Sequence, residues 1–246
     1  MSASTAVLKV EARLFVREPG ALFWVLAFPS LLLLGLGLIP KYREWDPSLG
    51  GHRIIDFYVP SVVLVALVTA SLLSMPSALT TYRERGILRR MRTTPARPSN
   101  LLVAQLVLHA AAAVIGAVLA VAVGRIVWGV ALPQQHLAYV VTLLLATLSG
   151  LAMGAVITAV ARTVKAAQAV GLAVFFPAMF AAGIYVPIQV LPNAVRKVIE
   201  LVPFGAAAQA LHQAASGSWP WWPHLAVLAL WIVVLMAIAT RWFRWE

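Results

Sequence analysis

Residues 57–80 read FYVPSVVLVALVTASLLSMPSALT and contain no Asp, Glu, Lys or Arg. A helix of about 20 mostly apolar residues, each rising 1.5 Å, is long enough to cross the hydrocarbon core of a bilayer. Five more stretches share this length and apolar character, and together they predict six membrane spans at residues 21–40, 57–80, 101–124, 137–161, 168–186 and 222–240. The alternating hydropathy of a membrane β-barrel is missing, so the sequence predicts an all-α integral membrane protein.

The composition excludes most soluble classes. Of the 246 residues, 62% are hydrophobic and 11% are charged, whereas a soluble domain is about half apolar and about a quarter charged. The net charge of +11 does not indicate a nucleic-acid partner, because the basic residues lie in short stretches between the apolar runs. There is no cysteine, which excludes disulfides, thiolate metal sites and cysteine nucleophiles.

The Lys and Arg residues are divided unevenly between the two sides of a six-span chain. Thirteen of the 19 fall on the side of the two termini, and six fall on the other side. Because cytoplasmic segments of membrane proteins carry the excess of positive charge, both termini are predicted to be cytoplasmic. The predicted location is the cell membrane, crossed six times.

The interior of the spans is nearly free of ionisable groups. No Asp, Glu, Lys or Arg lies in the middle of a predicted span, which argues against an ion-coupled transporter or a proton pump. His109 is the one mid-span candidate for carrying a proton, and a helix–helix hydrogen bond is the favoured interpretation. An intramembrane hydrolase using Ser149 and His109 is disfavoured because no carboxylate in the bilayer would orient the histidine.

Small residues recur at four-residue intervals in two of the predicted spans. Ala112, Gly116, Ala120 and Gly124 share one side of the third span, and the fourth contains Gly150 and Gly154. Such stripes let helix backbones approach closely. The pattern is compatible with packing inside one chain and with a dimer interface.

The longest charged interruption is residues 82–100, YRERGILRRMRTTPARPSN, with six arginines. The spacing of Glu84 and Leu88 predicts a short amphipathic helix with Ile87, Leu88 and Met91 on its apolar side, ending before Pro95. This loop could be a positive-inside determinant resting on anionic lipid, a nucleic-acid contact, or a docking element for a cytoplasmic partner. Composition alone favours the first.

Two further segments are predicted to lie at the membrane surface. In residues 1–20, Lys9, Arg13 and Arg17 recur every four residues, which indicates a helix along the inner surface, although Glu11 interrupts its apolar side. In residues 187–217, Leu191-Pro192 breaks a helix, 193–201 forms a short amphipathic helix, and 204–215 is apolar but too short to span. A re-entrant or interfacial placement follows for the second segment.

The run E-R-G-I-L-R-R-M-R-T-T-P, between the second and third spans, resembles the membrane subunits of ABC-2 type transporters. In that family this segment includes the coupling helix, which contacts the ATP-binding subunit, and we expect the apolar side of the predicted helix to seat in a groove of that subunit. The resemblance implies an ATPase-coupling role for Glu84, Gly86, Ile87, Leu88, Arg89, Met91, Thr94 and Pro95. The outer segment is also similar to that of the family, at Pro187, Leu191, Pro192, Pro203 and Phe204.

The resemblance implies one transmembrane domain over residues 1–246, with an N-terminal connecting helix, six spans and outer re-entrant helices, as in type V exporters. The sequence has no G-x-x-x-x-G-K-[ST] phosphate loop, so ATP and Mg would be bound by a partner and the chain itself would be no enzyme. The implied partners are two ATP-binding subunits, a second permease copy or paralogue, and membrane lipids. The implied activity is export of an amphiphilic or hydrophobic drug, lipid or natural product; the alternative is an ATP-independent channel or scaffold.

Overall fold

The computed structural model describes residues 3–47, 51–91 and 98–242, and most of them are helical. The α-helices in this part of the chain are α1 (Ala3–Val16), α2 (Pro19–Leu22), α3 (Phe28–Gly37), α4 (Pro40–Arg43), α5 (Ile54–Val68), α6 (Met75–Glu84), α7 (Ile87–Met91), α8 (Pro98–Trp128), α9 (His136–Val160), α10 (Val164–Ala181), α11 (Asn193–Ile199), α12 (Pro203–Ala215) and α13 (Trp222–Trp242). Two π-helical turns, Phe23–Ala27 and Thr69–Ser74, join α2 to α3 and α5 to α6. The remaining elements are the 3-10 turn Ile188–Val190 and the antiparallel strands β1 (Trp45–Asp46) and β2 (His52–Arg53).

Six helices are long and apolar enough to cross a membrane, as the sequence predicts. They are Pro19–Gly37, Ile54–Glu84, Asn100–Trp128, His136–Val160, Val164–Ala181 and Trp222–Trp242. The fifth span differs most from its predicted bounds. It begins at Val164, where the Thr163 hydroxyl accepts a hydrogen bond from the Ala166 amide at 3.1 Å, and it ends before Gly183, whose φ is 78°.

The chain order places the connections alternately on two sides of the membrane. The first side, named the α7 side, holds α1, α7 and the connection at 161–163. The opposite side, named the α11 side, holds the β1–β2 hairpin, α11 and the connection at 129–135. Hydrogen bonds connect the segments on the α11 side. Arg53 donates to the Trp128 carbonyl at 2.9 Å, and the Gln135 amide donates to the Ala214 carbonyl at 3.1 Å.

The second span lies at the centre of the molecule. Of its most apolar stretch, 78% is buried, compared with 22% for the first and sixth spans. Glycines on neighbouring helices make this position possible: a Cβ at Gly154 would overlap the Ser71 carbonyl, and one at Gly171 would come within 2.6 Å of the Leu72 carbonyl. Both carbonyls belong to the second π-helical turn. The glycines of the fourth span are therefore used for packing within the chain.

Helix α12 enters the body of the protein without crossing it. Its first residues, Pro203 and Phe204, are buried, and Phe204 is only 2% exposed. The Phe204 ring comes within 3.3 Å of the position that a Cβ on Gly150 would occupy. Helix α12 packs on α5, α9 and α13 and continues the apolar core that the second span begins.

Candidate functional site

The residues on which the ABC-2 resemblance rests lie where α6 ends and α7 begins. The sequence predicts one helix through Glu84 and Leu88, and this is wrong, because α6 ends at Glu84 and α7 covers only Ile87–Met91. The break is at Gly86, whose φ of 66° lies in the left-handed region that a residue with a Cβ disfavours. Glu84 therefore belongs to the end of the second span and α7 is a separate short helix.

Two adjacent charged residues at the end of α6 hold both ends of the 161–163 connection. The Arg83 guanidinium donates from Nη1 to the carbonyls of Thr158 at 2.8 Å and Ala161 at 2.7 Å, where α9 ends. The Glu84 carboxylate accepts a hydrogen bond from the amide of Val164, the first residue of α10, at 2.9 Å. A cation at a helix C-terminus and an anion at an N-terminus both match the helix dipole and satisfy unpaired backbone groups. We call this arrangement the Arg83–Glu84 clamp.

Helix α7 turns one residue inward and its arginines outward. Leu88 is 2% exposed, so its side chain is buried within this chain, while Ile87 and Met91 are half-buried. Arg89 and Arg90 are exposed on the α7 side. Leu88 is therefore covered by other residues of this chain, contrary to the expectation that it is open to a partner. Thr94 and Pro95 lie outside the described residues.

A buried carboxylate joins α1 to this region. Glu11 is 7% exposed and accepts two hydrogen bonds at Oε2, from the Tyr82 hydroxyl at 2.7 Å and from Gln105 Nε2 at 2.6 Å. The basic residues Lys9 and Arg13 are exposed on the opposite side of α1. The sequence predicts only that Glu11 interrupts the apolar side of α1, and it does not predict that the carboxylate is buried and hydrogen-bonded. An acidic residue opposite a basic stripe was the available signal.

The polar contacts continue from Gln105 into the membrane region. The Gln105 carbonyl accepts a hydrogen bond from His109 Nδ1 at 2.8 Å, so Nε2 is left to accept one from the Ser74 hydroxyl at 3.1 Å. His109 therefore makes the helix–helix hydrogen bond that the sequence favours. The Ser149 hydroxyl donates to the Ala146 carbonyl in its own helix at 2.9 Å, and the hydroxyl that contacts His109 belongs to Ser74 instead.

The predicted residues on the α11 side mark the ends of short helices. Pro187 precedes the 3-10 turn and Pro192 precedes α11, while Pro203 is the first residue of α12. Leu191 packs against the core in a half-buried position, and Phe204 is fully inside it. Proline suits these positions because a helix start needs no amide donor.

The geometry on the α7 side is suited to transmitting a movement. The end of α6 is bonded to α1 through Tyr82, and to α9 and α10 through the Arg83–Glu84 clamp. Within the described ranges there is no group of three or more His, Cys, Asp or Glu residues that could hold a metal ion. The site consists of charged hydrogen bonds between helix ends, next to the exposed Arg89 and Arg90.

The chain was compared with models of known protein families. The family model described as ABC-2 type transporter matches residues 3–215, which include α1, the first five spans and α12. Comparison with curated proteins gives no significant match. Six apolar helices and a match over most of the chain show that this multi-pass membrane protein belongs to the ABC-2 type transporter family.

Proposed function

We propose that the chain is the permease subunit of an ATP-driven exporter and takes its energy from a separate ATP-binding subunit through α7. The observation that supports this most strongly is the Arg83–Glu84 clamp. Two residues, Arg85 and Gly86, separate it from α7, and it contacts the ends of two spans at once. A force on α7 would thus reach α6, α9 and α10 directly.

The hydrogen bonds of the clamp stabilise the junction between α6, α9 and α10. Hydrogen bonds to charged groups contribute about 1.5–3 kcal/mol each, and Arg83 and Glu84 make three between them. The buried Leu88 fixes α7 to the same body. A displacement of α7 could then cross the protein through packed helices, which move as rigid bodies between two arrangements.

The exposed arginines supply the contact to the partner. Arg89 and Arg90 face away from the membrane body, beside the exposed Arg85. A cationic surface of this kind is complementary to acidic residues, which steer association and fix its register. We place the α7 side in the cytoplasm by the positive-inside rule, where two ATP-binding subunits would hold ATP and Mg beneath two permease copies, identical or related.

The cargo is proposed to be amphiphilic or hydrophobic, such as a drug, a lipid or a natural product. The support is the lack of Asp, Glu, Lys and Arg in the middle of the spans, because burying a polar cargo would require polar partners there. Export is the proposed direction, which the family resemblance favours.

The test compares two charge reversals on opposite sides of the protein. Glu84→Lys places a cation at the N-terminus of α10 and should abolish cargo-stimulated ATP hydrolysis of the reconstituted complex, while Glu44→Lys, exposed on the α11 side, should leave it unchanged. Both variants should insert into membranes equally. Equal stimulation in the two variants would reject the clamp's role, and failure of any ATP-binding subunit to co-purify would favour the channel or scaffold alternative.

A further inference from the structure

A cavity of about 630 Å³ opens between α9, α10, α11, α12 and α13 on the α11 side. Its walls are apolar side chains, among them Pro177, Phe180, Val195, Val198, Phe204 and Trp231. Cavities of about 300–1,000 Å³ are the size that holds a single small ligand or one arm of a larger one. The cavity lies on the opposite side of the protein from the proposed coupling site.

The cavity faces the lipid rather than the protein interior. Val198 is 66% exposed, Val195 is 38% exposed and Phe180 is 37% exposed. Three of the helices that form its walls, α9, α10 and α13, are membrane spans. In a membrane, a cavity that opens outward between these spans would adjoin the hydrocarbon of the bilayer.

Helix α11 covers this cavity with an apolar side and carries cations on its other side. Val195 and Val198 line the cavity, and Arg196 and Lys197 lie opposite them at helical spacing. Arg196 bonds Asn193 at 2.9 Å and lies 3.9 Å from Glu200, which neutralises that carboxylate. Lys197 is exposed, so this side of the helix is net positive.

Neither water nor empty space suits the cavity. A buried water needs two to four polar partners, and the Trp231 indole already donates its hydrogen to the Leu201 carbonyl at 2.9 Å. An empty cavity would forfeit the dispersion contacts of its walls. A hydrocarbon chain from the surrounding bilayer needs no polar partners and restores the dispersion contacts of the walls.

We infer that this cavity is a binding site for an anionic phospholipid, whose acyl chain fills it and whose phosphate lies at Lys197. The inference is independent of coupling to an ATP-binding subunit. A concave apolar wall beneath a cationic helix would retain this lipid longer than the lipids around the remaining spans. The bound lipid would fix α11 against α10 and α13.

The site is tested on the purified full-length protein in phosphatidylcholine bilayer discs that contain a photoactivatable phosphatidylglycerol with the reactive group on its acyl chain. Cross-links are located by mass spectrometry. We expect them to be concentrated in α10, α11 and α13, and to fall several-fold in Val198→Trp, which fills the cavity. The matched control is Val118→Trp on α8, where the native side chain is 58% exposed and lies outside the cavity.

The headgroup contact is tested by Lys197→Gln. This variant should reduce labelling by the phosphatidylglycerol probe and leave labelling by the corresponding phosphatidylcholine probe unchanged. Labelling that is equally dense on α8 and α11, or unaffected by both Val198→Trp and Ala194→Trp, would overturn the proposal. Ala194→Trp is the second cavity variant, because Ala194 is also an exposed lining residue, and it replaces Val198→Trp if that variant fails to fold.

A second copy of the chain is the competing occupant, and the absence of native cysteine makes it testable. Val198→Cys is oxidised in the same bilayer discs. A disulfide-linked dimer through this position would show that another copy covers the cavity and would overturn the lipid site. Monomeric protein that still labels with the lipid probe would support it.

Discussion

Glu11 and Gln105 are 94 positions apart in the sequence and are joined by a hydrogen bond of 2.6 Å between Oε2 and Nε2. The same carboxylate oxygen accepts a hydrogen bond from the Tyr82 hydroxyl. One buried acidic residue therefore connects the N-terminal helix to the second and third spans. The helix that lies along the α7 side is part of the membrane body.

Replacing Glu11 with Ala should loosen this connection. The loss of hydrogen bonds to a charged acceptor costs about 1.5–3 kcal/mol, and it leaves the Tyr82 and Gln105 donors unsatisfied. The apparent melting temperature in detergent should fall. The control, Lys9→Ala, removes an exposed charge from the same helix and should change little; equal melting temperatures for the two variants would show that the carboxylate adds no stability.

Close packing of glycines against the second span predicts that two Gly→Ala variants differ in thermal stability. Gly154→Ala places a methyl group against the Ser71 carbonyl, which is backbone and has little room to move. Overpacking of this kind costs about 1–3 kcal/mol. Gly35→Ala meets nothing within 4 Å and is the matched control. Thermal unfolding of the purified variants distinguishes them, and a tolerated Gly154→Ala would contradict the close approach of α9 to the second span.

Leu88→Ala should release α7 from the membrane body. Truncation of a buried leucine costs about 2–5 kcal/mol, and α7 has only five residues, too few to be stable alone. Hydrogen exchange of the α7 amides should accelerate, with that of α9 unchanged. Arg89→Ala, at an exposed position on the same helix, should leave the exchange rates as they are.

We expect the stability of the protein to depend on pH because of a histidine on the α11 side. Burial, with a further contribution from the nearby His52, lowers the pKa of His212 below its ordinary value of 6.5. The folded state therefore binds the proton less readily than the unfolded state, and stability should fall as the pH decreases below about 6.5. His212→Gln should weaken this acid destabilisation. A melting temperature with the same pH profile in both proteins would contradict it.

The spans could be predicted from the sequence because their signal is local. Each is a long apolar run, and the excess of hydrophobic over charged residues leaves no other place for them than a bilayer. The short helices α11 and α12 were also predictable, since Pro192 and Pro203 stand at their starts. Helix length alone shows that neither can cross.

The contacts at the end of α6 could not be predicted in the same way. The spacing of Glu84 and Leu88 fits one helix, and only the left-handed conformation at Gly86 shows that the helix is broken there. The partner of Glu84 is the amide of Val164, 80 residues later. Contacts of this kind depend on how the spans pack, which hydropathy does not encode. The buried position of Glu11 was missed for the same reason.

Energy transfer through α7 requires that this helix contact an ATP-binding subunit, and the cysteine-free chain allows a direct measurement. Arg89→Cys, exposed on α7, is treated with a short bifunctional thiol–amine reagent in membranes that contain the co-expressed subunit. Lys41→Cys, exposed on the α11 side, is the control. If α7 docks the subunit, a cross-linked permease–ATPase pair forms through position 89 and none forms through position 41. Cross-linking through position 41 alone, or through neither position, would contradict docking through α7.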